Sequence, residues 1–132
     1  MHPKMIWANL AVSDLEQTTK FYTDLGFKAN GTPNGQLTSF VVGEIEFVIN
    51  FFLKDVLRSN MKIEIADAQS AAEVLFTLSA KSKEEADQWA VEVKKAGGKM
   101  LSEPEAFGEG YYGFMFADPD GHRFNVFYMK GF

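Results

Sequence analysis

The stretch "NLAVSDLEQTTKFYTDLGFK", Asn9 to Lys28, carries the end of a strand, a helix start, a helix and a stop in direct succession. With the residues before it, "MIWANLAV" reads as a strand. Ser13 and Glu16 have the spacing of a capping box, in which the hydroxyl caps the helix start and the carboxylate reaches back. Leu15, Thr18, Tyr22 and Leu25 then recur at intervals of three and four, which predicts a helix with one buried side. Gly26 suits the C-terminal cap, because glycine takes the left-handed conformation without steric penalty. "GFKA", "LTSFVVG" and "IEFVINFFL" follow as three strand candidates, with "NGTPNG" marking a loop.

The same order returns downstream. "EVLFTLSA" reads as a strand, and "SKEE" offers a second capping box with Ser82 and Glu85. The next helix is expected to bury Ala86, Trp89, Ala90 and Val93, and Gly97 and Gly98 end it. "GKML", "YGFMFA" and "HRFNVFYM" complete the set as strands. The reading is a single α+β domain, residues 1–132, of two βαβββ modules in tandem. Module one spans about 5–54, a linker about 55–71, and module two about 72–130. A short helix near Asp55 to Ser59 is expected in the linker. The repeat alone also fits a ferredoxin-like sandwich.

Composition narrows the function classes. The chain has 132 residues, enough for one core. It has no cysteine, so disulfides, thiolate metal sites and a cysteine nucleophile are excluded. That fits a reducing cytoplasm. The net charge of −5 argues against nucleic acid, which wants a basic face. "MHPKMIWANL" shows no signal-peptide pattern, and "FVINFFL" is too short to span a membrane. Thirteen phenylalanines either thicken a core or line an apolar cavity for a small organic ligand.

Three motifs together resemble the vicinal oxygen chelate superfamily, which includes glyoxalase I, bleomycin-resistance proteins and extradiol dioxygenases. They are Asn9 to Lys28 with its "FY" and "LGF", the second-module helix region "SKEEADQWAVEVKKAGGKMLSEPEAFG", and the closing "FADPDGHRFNVFYM". The resemblance implies two βαβββ modules forming an open, U-shaped mixed sheet around a small-molecule cleft. It also implies that homodimers are common. In the metal-using members, side chains from four strands hold a divalent ion, usually histidine, glutamate or glutamine. Carried onto this chain, the first position is Trp7, whose indole can only donate. The second-module equivalent falls near Leu75, which has no donor atom. The first module's last strand offers Ile49 or Phe51. The closing strand offers Asn125, a feeble lone ligand. The expectation is no metal ligands and no cofactor, with a divalent metal held by atypical ligands as the alternative.

The cleft face implied by this placement comprises Trp7, Asn9, Phe51, Thr77, Arg123, Asn125, Phe127 and Met129. No catalytic residue is assigned. Alternation sends His122 to the other face, where it is expected to hydrogen-bond the acidic turn of Asp118 and Asp120. His2 reads as an exposed tail residue. The expected function is binding of a small organic molecule in an aromatic cleft, with Asn125 orienting it and Arg123 pairing an acid group. The alternative is a metal-dependent lyase or isomerase of the lactoylglutathione lyase type. A domain with a filled core is a third reading. The expected partners are a small organic molecule and a second copy of the chain, with no nucleic acid and no membrane.

Overall fold

A computed structural model describes residues 1–131. They form two compact units, one ending at Ala66 and one beginning at Asp67. The result is an α+β arrangement of two mixed sheets and three helices among the described residues, with no closed barrel.

The first unit runs β1 (Trp7–Val12), α1 (Leu15–Asp24), β2 (Lys28–Ala29), β3 (Leu37–Val42), β4 (Phe47–Leu53) and α2 (Lys54–Met61). Its sheet order is β1-β4-β3-β2. β1 lies parallel to β4, and the other pairs are antiparallel. The α1 cap differs from the expected box: Asp14 is the N-cap, and its carboxylate accepts from the Gln17 N–H at 3.0 Å. Aspartate outcompetes the adjacent serine because a charged acceptor suits the positive end of the helix. Gly26 takes the left-handed φ of 88° just past the helix, as its place in the sequence required. Thr18, Phe21, Tyr22 and Leu25 are the buried side of α1, while Leu15 is only half-buried. The helix foreseen near Asp55 is α2, which packs on β1 and β4 with Leu57 buried.

The second unit runs β5 (Leu75–Ser79), α3 (Lys83–Ala96), β6 (Lys99–Met100), β7 (Glu105–Ala106), β8 (Tyr111–Ala117) and β9 (Arg123–Met129). The order is β5-β9-β8-β6, with β5 parallel to β9 and β7 also paired to β8. β7 is an addition to the expected βαβββ order. Ser82 caps α3 by accepting from the Glu85 N–H at 3.0 Å, and Glu85 reaches back to the Lys81 N–H. Ala86, Ala90 and Val93 are buried as expected, but Trp89 is only half-buried. The larger side chains Phe114, Phe116, Phe124 and Val126 fill that core from the sheet. No helix among the described residues is long and apolar enough to cross a membrane.

Asp118 organises the turn before β9. One carboxylate oxygen accepts from the N–H groups of Asp120 and His122, at 3.0 and 2.8 Å. Gly121 closes it at φ 97°, and a Cβ there would lie 2.8 Å from the backbone of Ala68 and Gln69. Gln69 in turn donates to the Pro119 carbonyl at 2.9 Å. Gly121 thus serves both a left-handed turn and a close chain approach.

Two outcomes follow from this packing. Thr18 is buried and its hydroxyl has no hydrogen-bond partner. Thr18→Val keeps the shape and removes the stranded group, so urea unfolding should show a gain of about 1 kcal/mol. Gly121→Ala should cost roughly 2–4 kcal/mol in the same measurement, from combined strain and overlap.

Candidate functional site

α1 lies on β3 and β4, and α3 on β8 and β9. The face away from each helix, called the open face, carries exposed side chains such as Trp7, Asn9, Thr77 and Met115 beside the buried Val48 and Ser39. In the first unit, the Tyr22 ring of α1 stacks on Phe51 at 4.5 Å and meets Phe40 at 5.7 Å. The Thr19 and Thr38 hydroxyls are hydrogen-bonded at 2.9 Å. Phe40, Thr38 and Phe51 therefore mark the helix side. Strand register then assigns the other side. Asn9 lies beside Asn50, and Asn50 beside Ser39. Successive strand residues alternate faces, so Trp7, Asn9, Ser39 and Asn50 share the open face.

Phe51 does not belong to that face. It is fully buried against α1. The expectation that Phe51 joins Trp7 and Asn9 fails because parallel pairing aligns Asn9 with Asn50, one residue earlier. A single polar residue inside "FVINFFL" was the signal available: Asn50 is the one side chain there that gains by leaving the core. Asn50 donates its side-chain NH2 to the Asn9 Oδ1 at 3.0 Å and accepts from the Ser39 hydroxyl at 2.6 Å. Ser39 accepts from the Asn30 amide at 3.0 Å. Four polar side chains thus form one ladder across the sheet. Ser39 and Asn30 gave no signal in the sequence, since both read as ordinary strand and turn residues.

In the second unit, Phe124 stacks on Phe76 and Phe116 at 5.4 and 5.2 Å, on the helix side. The opposite face carries Thr77 and Met115 on either side of Asn125, and Leu75 and Ala117 on either side of Arg123. Phe127 lies on the same face opposite Gly113, and Met129 opposite Tyr111. All five second-unit residues expected there (Thr77, Arg123, Asn125, Phe127 and Met129) therefore share one face. Sequence reasoning missed Phe107. Its ring stacks on Tyr111 at 6.1 Å and touches Phe127 at 5.8 Å, while Tyr111 and Phe127 lie 5.3 Å apart. Phe107 and Tyr111 remain 42% and 38% exposed, so this aromatic cluster offers surface to a ligand. Arg123 is half-buried. Its Nη1 donates to the Gly121 carbonyl at 3.2 Å, and no ion pair to it exists among the described residues.

His122 falls on the helix-side parity, beside Phe124, and its backbone N–H donates to Asp118. A displaced titration also lies off the open face. The Tyr112 hydroxyl donates to Asp87 of α3 at 2.5 Å. That hydrogen bond, then desolvation, then the negative charges of Asp87 and Glu84, push the phenol above its ordinary value.

The divalent-metal site of the resemblance can be tested on these donors. Trp7 and Leu75 offer no lone pair. In the first unit, register moves the last-strand position to Asn50, the counterpart of Asn125. The Asn50 oxygen is already committed to Ser39. Asn125 leaves one neutral amide, whereas such ions want several imidazole or carboxylate ligands. Among the described residues, no three His, Asp or Glu side chains gather as a metal-holding group. These residues do not fit the family's ion.

No curated protein is significantly similar to the chain in sequence. Solved structures are. A hypothetical protein from S. aureus superposes with a TM-score of 0.86 at 32% identity, over 97% of this chain and 95% of that one. A glyoxalase-related enzyme from Fulvimarina pelagi gives 0.83 at 20% identity, over 96% and 88%. A lactoylglutathione lyase from Agrobacterium tumefaciens gives 0.71 at 21% identity, over 96% and 95%. The profile of the Glyoxalase/Bleomycin resistance protein/Dioxygenase superfamily matches residues 4–126, and with the two β1-to-β4 and β5-to-β9 parallel pairings behind it, the chain belongs to that superfamily.

Proposed function

We propose that this chain binds a small organic molecule on the open faces of its sheets and does so without the family's metal chemistry. The observation that carries the reading is the face of β9. There an exposed aromatic cluster of Phe107, Tyr111 and Phe127 shares one surface with Asn125 and Arg123. Aromatic surface with a few placed polar groups is the usual make-up of a small-molecule site. Arg123 supplies a fixed positive charge that lacks a carboxylate partner among the described residues, which suits an acid group on the ligand. Asn125 can donate and accept, and so orients the ligand, with Thr77 and Met129 as neighbours on the face. Trp7 and Asn9 supply the equivalent surface on the first unit. The protein acts as a cytoplasmic homodimer, a reading supported by the lack of cysteine and by the exposed apolar side chains Ile45, Met61 and Ile63.

The second reading, a metal-dependent lyase, draws on the fold shared with the Agrobacterium enzyme. One set of measurements separates the two. The purified protein should carry less than stoichiometric zinc, nickel, manganese or iron, and chelation should leave its melting temperature unchanged. Small aromatic acids should raise that temperature, and Arg123→Gln should weaken their binding about tenfold. Tightly held stoichiometric metal, together with conversion of the hemithioacetal of methylglyoxal and glutathione, would establish the lyase instead.

A further inference from the structure

The polar ladder of the first sheet has a direction. The Ser39 hydroxyl carries one proton, and it goes to the Asn50 oxygen at 2.6 Å. The remaining lone pairs of Ser39 accept the Asn30 amide N–H at 3.0 Å. Asn30 is held there by its own backbone, since its N–H donates to the Ser39 carbonyl at 2.9 Å. With its oxygen turned to Ser39, Asn50 must turn its NH2 to Asn9, where it donates to the side-chain Oδ1 at 3.0 Å. The chain of choices ends at Asn9. Its oxygen is used inside the ladder, so its NH2 is the group left to face outward. Asn9 is exposed, and β1 is the edge strand of this sheet. Trp7 lies two residues back on the same face and is 53% exposed.

We propose that Asn9 is a specificity-determining donor. The ladder fixes its amide so that the open face of β1 selects ligands bearing an acceptor oxygen, a carbonyl or carboxylate, attached to an apolar or aromatic body that rests on Trp7. Asn50, Ser39 and Asn30 are positioning residues that hold this polarity without touching the ligand. The alternative polarity requires all three amides to turn and Ser39 to donate to Asn30. It would leave the Asn9 oxygen outward and select donors instead. Each added hydrogen bond strengthens its neighbours in such a chain, so the polarity is held collectively. This inference rests on the open faces being where ligand binds.

The test uses two probes of similar body and opposite hydrogen-bonding character. Acetophenone only accepts, and benzylammonium only donates. Side-chain amide resonances of the 15N-labelled full chain are followed during titration with each. The Asn9 NH2 signals should shift with acetophenone, which should bind roughly three- to tenfold tighter than benzylammonium. Asn9→Asp keeps an oxygen for Asn50 to donate to but presents an acceptor outward, so the preference should invert. Ser39→Ala removes the proton that orders the ladder. In that variant Asn9 should turn freely and the preference should fall toward unity, while the melting temperature shows that the fold is kept. Equal binding of both probes, or a preference that survives Asn9→Asp, overturns the assigned polarity and leaves ligand binding on this face standing. No response at Asn9 or Trp7 to either probe overturns both.

Discussion

Parallel pairing of the first and last strands is the constraint on which each unit depends. A β-α-β-β-β chain can place its first strand beside its last only if the helix crosses over one face of the sheet. That crossover decides which face is core. In the first unit it puts Phe40 and Phe51 under Tyr22, and by alternation it frees Asn9, Ser39 and Asn50. In the second it buries Phe116 and Phe124 and frees Asn125 and Phe127. Burying Asn50 or Asn125 with those rings would strand an amide in an apolar core, at a cost of a few kcal/mol. Polarity and topology therefore agree on a single register.

The pairing also makes the repeat quantitative. From the N-cap Asp14 to the N-cap Ser82 is a step of 68, and the same step carries Asn9 to Thr77 and Trp7 to Leu75. Asn9 sits beside Asn50 as Thr77 sits beside Asn125. The two units thus present equivalent rows, but with different chemistry. The first row is an amide and hydroxyl ladder linked from Asn30 to Asn9, with the Asn9 NH2 left over. The second, around Asn125, has a methionine on one side and a threonine on the other.

Much of this is legible in the sequence. Helices, strand order and glycine stops are local: capping residues, three-and-four spacing and positive-φ positions act within a few residues, so Gly26, Ser82 and Gly97 read correctly. The closing strand read correctly too, because its turn glycine fixes the count from Gly121 to Asn125. β4 did not. Its parity was counted from the position of a family ligand, whereas the molecule sets it by a long-range parallel pairing that leaves no local mark. Phe51 was misplaced by that single step. The β7 strand is not legible because its two residues carry no periodicity and no helix-ending glycine precedes them, as one precedes β2 and β6, and with it goes Phe107 and its stack on Tyr111. Asp14 rather than Ser13 is the cap because its charged acceptor suits the helix start, a preference too small to read from two adjacent capping residues.

Asparagine at both equivalent strand positions changes what the scaffold can do. A carboxylate or imidazole there brings charge or a free lone pair, and with it the ability to hold a cation. An amide brings a donor and an acceptor on one rigid plane, with no charge. Its usefulness then depends on which end faces the ligand, and an isolated amide does not decide that. On the first sheet the decision is delegated to Ser39, whose single proton propagates through Asn50 to Asn9. On the second, the neighbours of Asn125 impose no such order: Met115 offers only a thioether, and Thr77 can either donate or accept. The first face is therefore built for one kind of polar group, and the second is adaptable, with Arg123 providing the charge that an uncharged amide cannot.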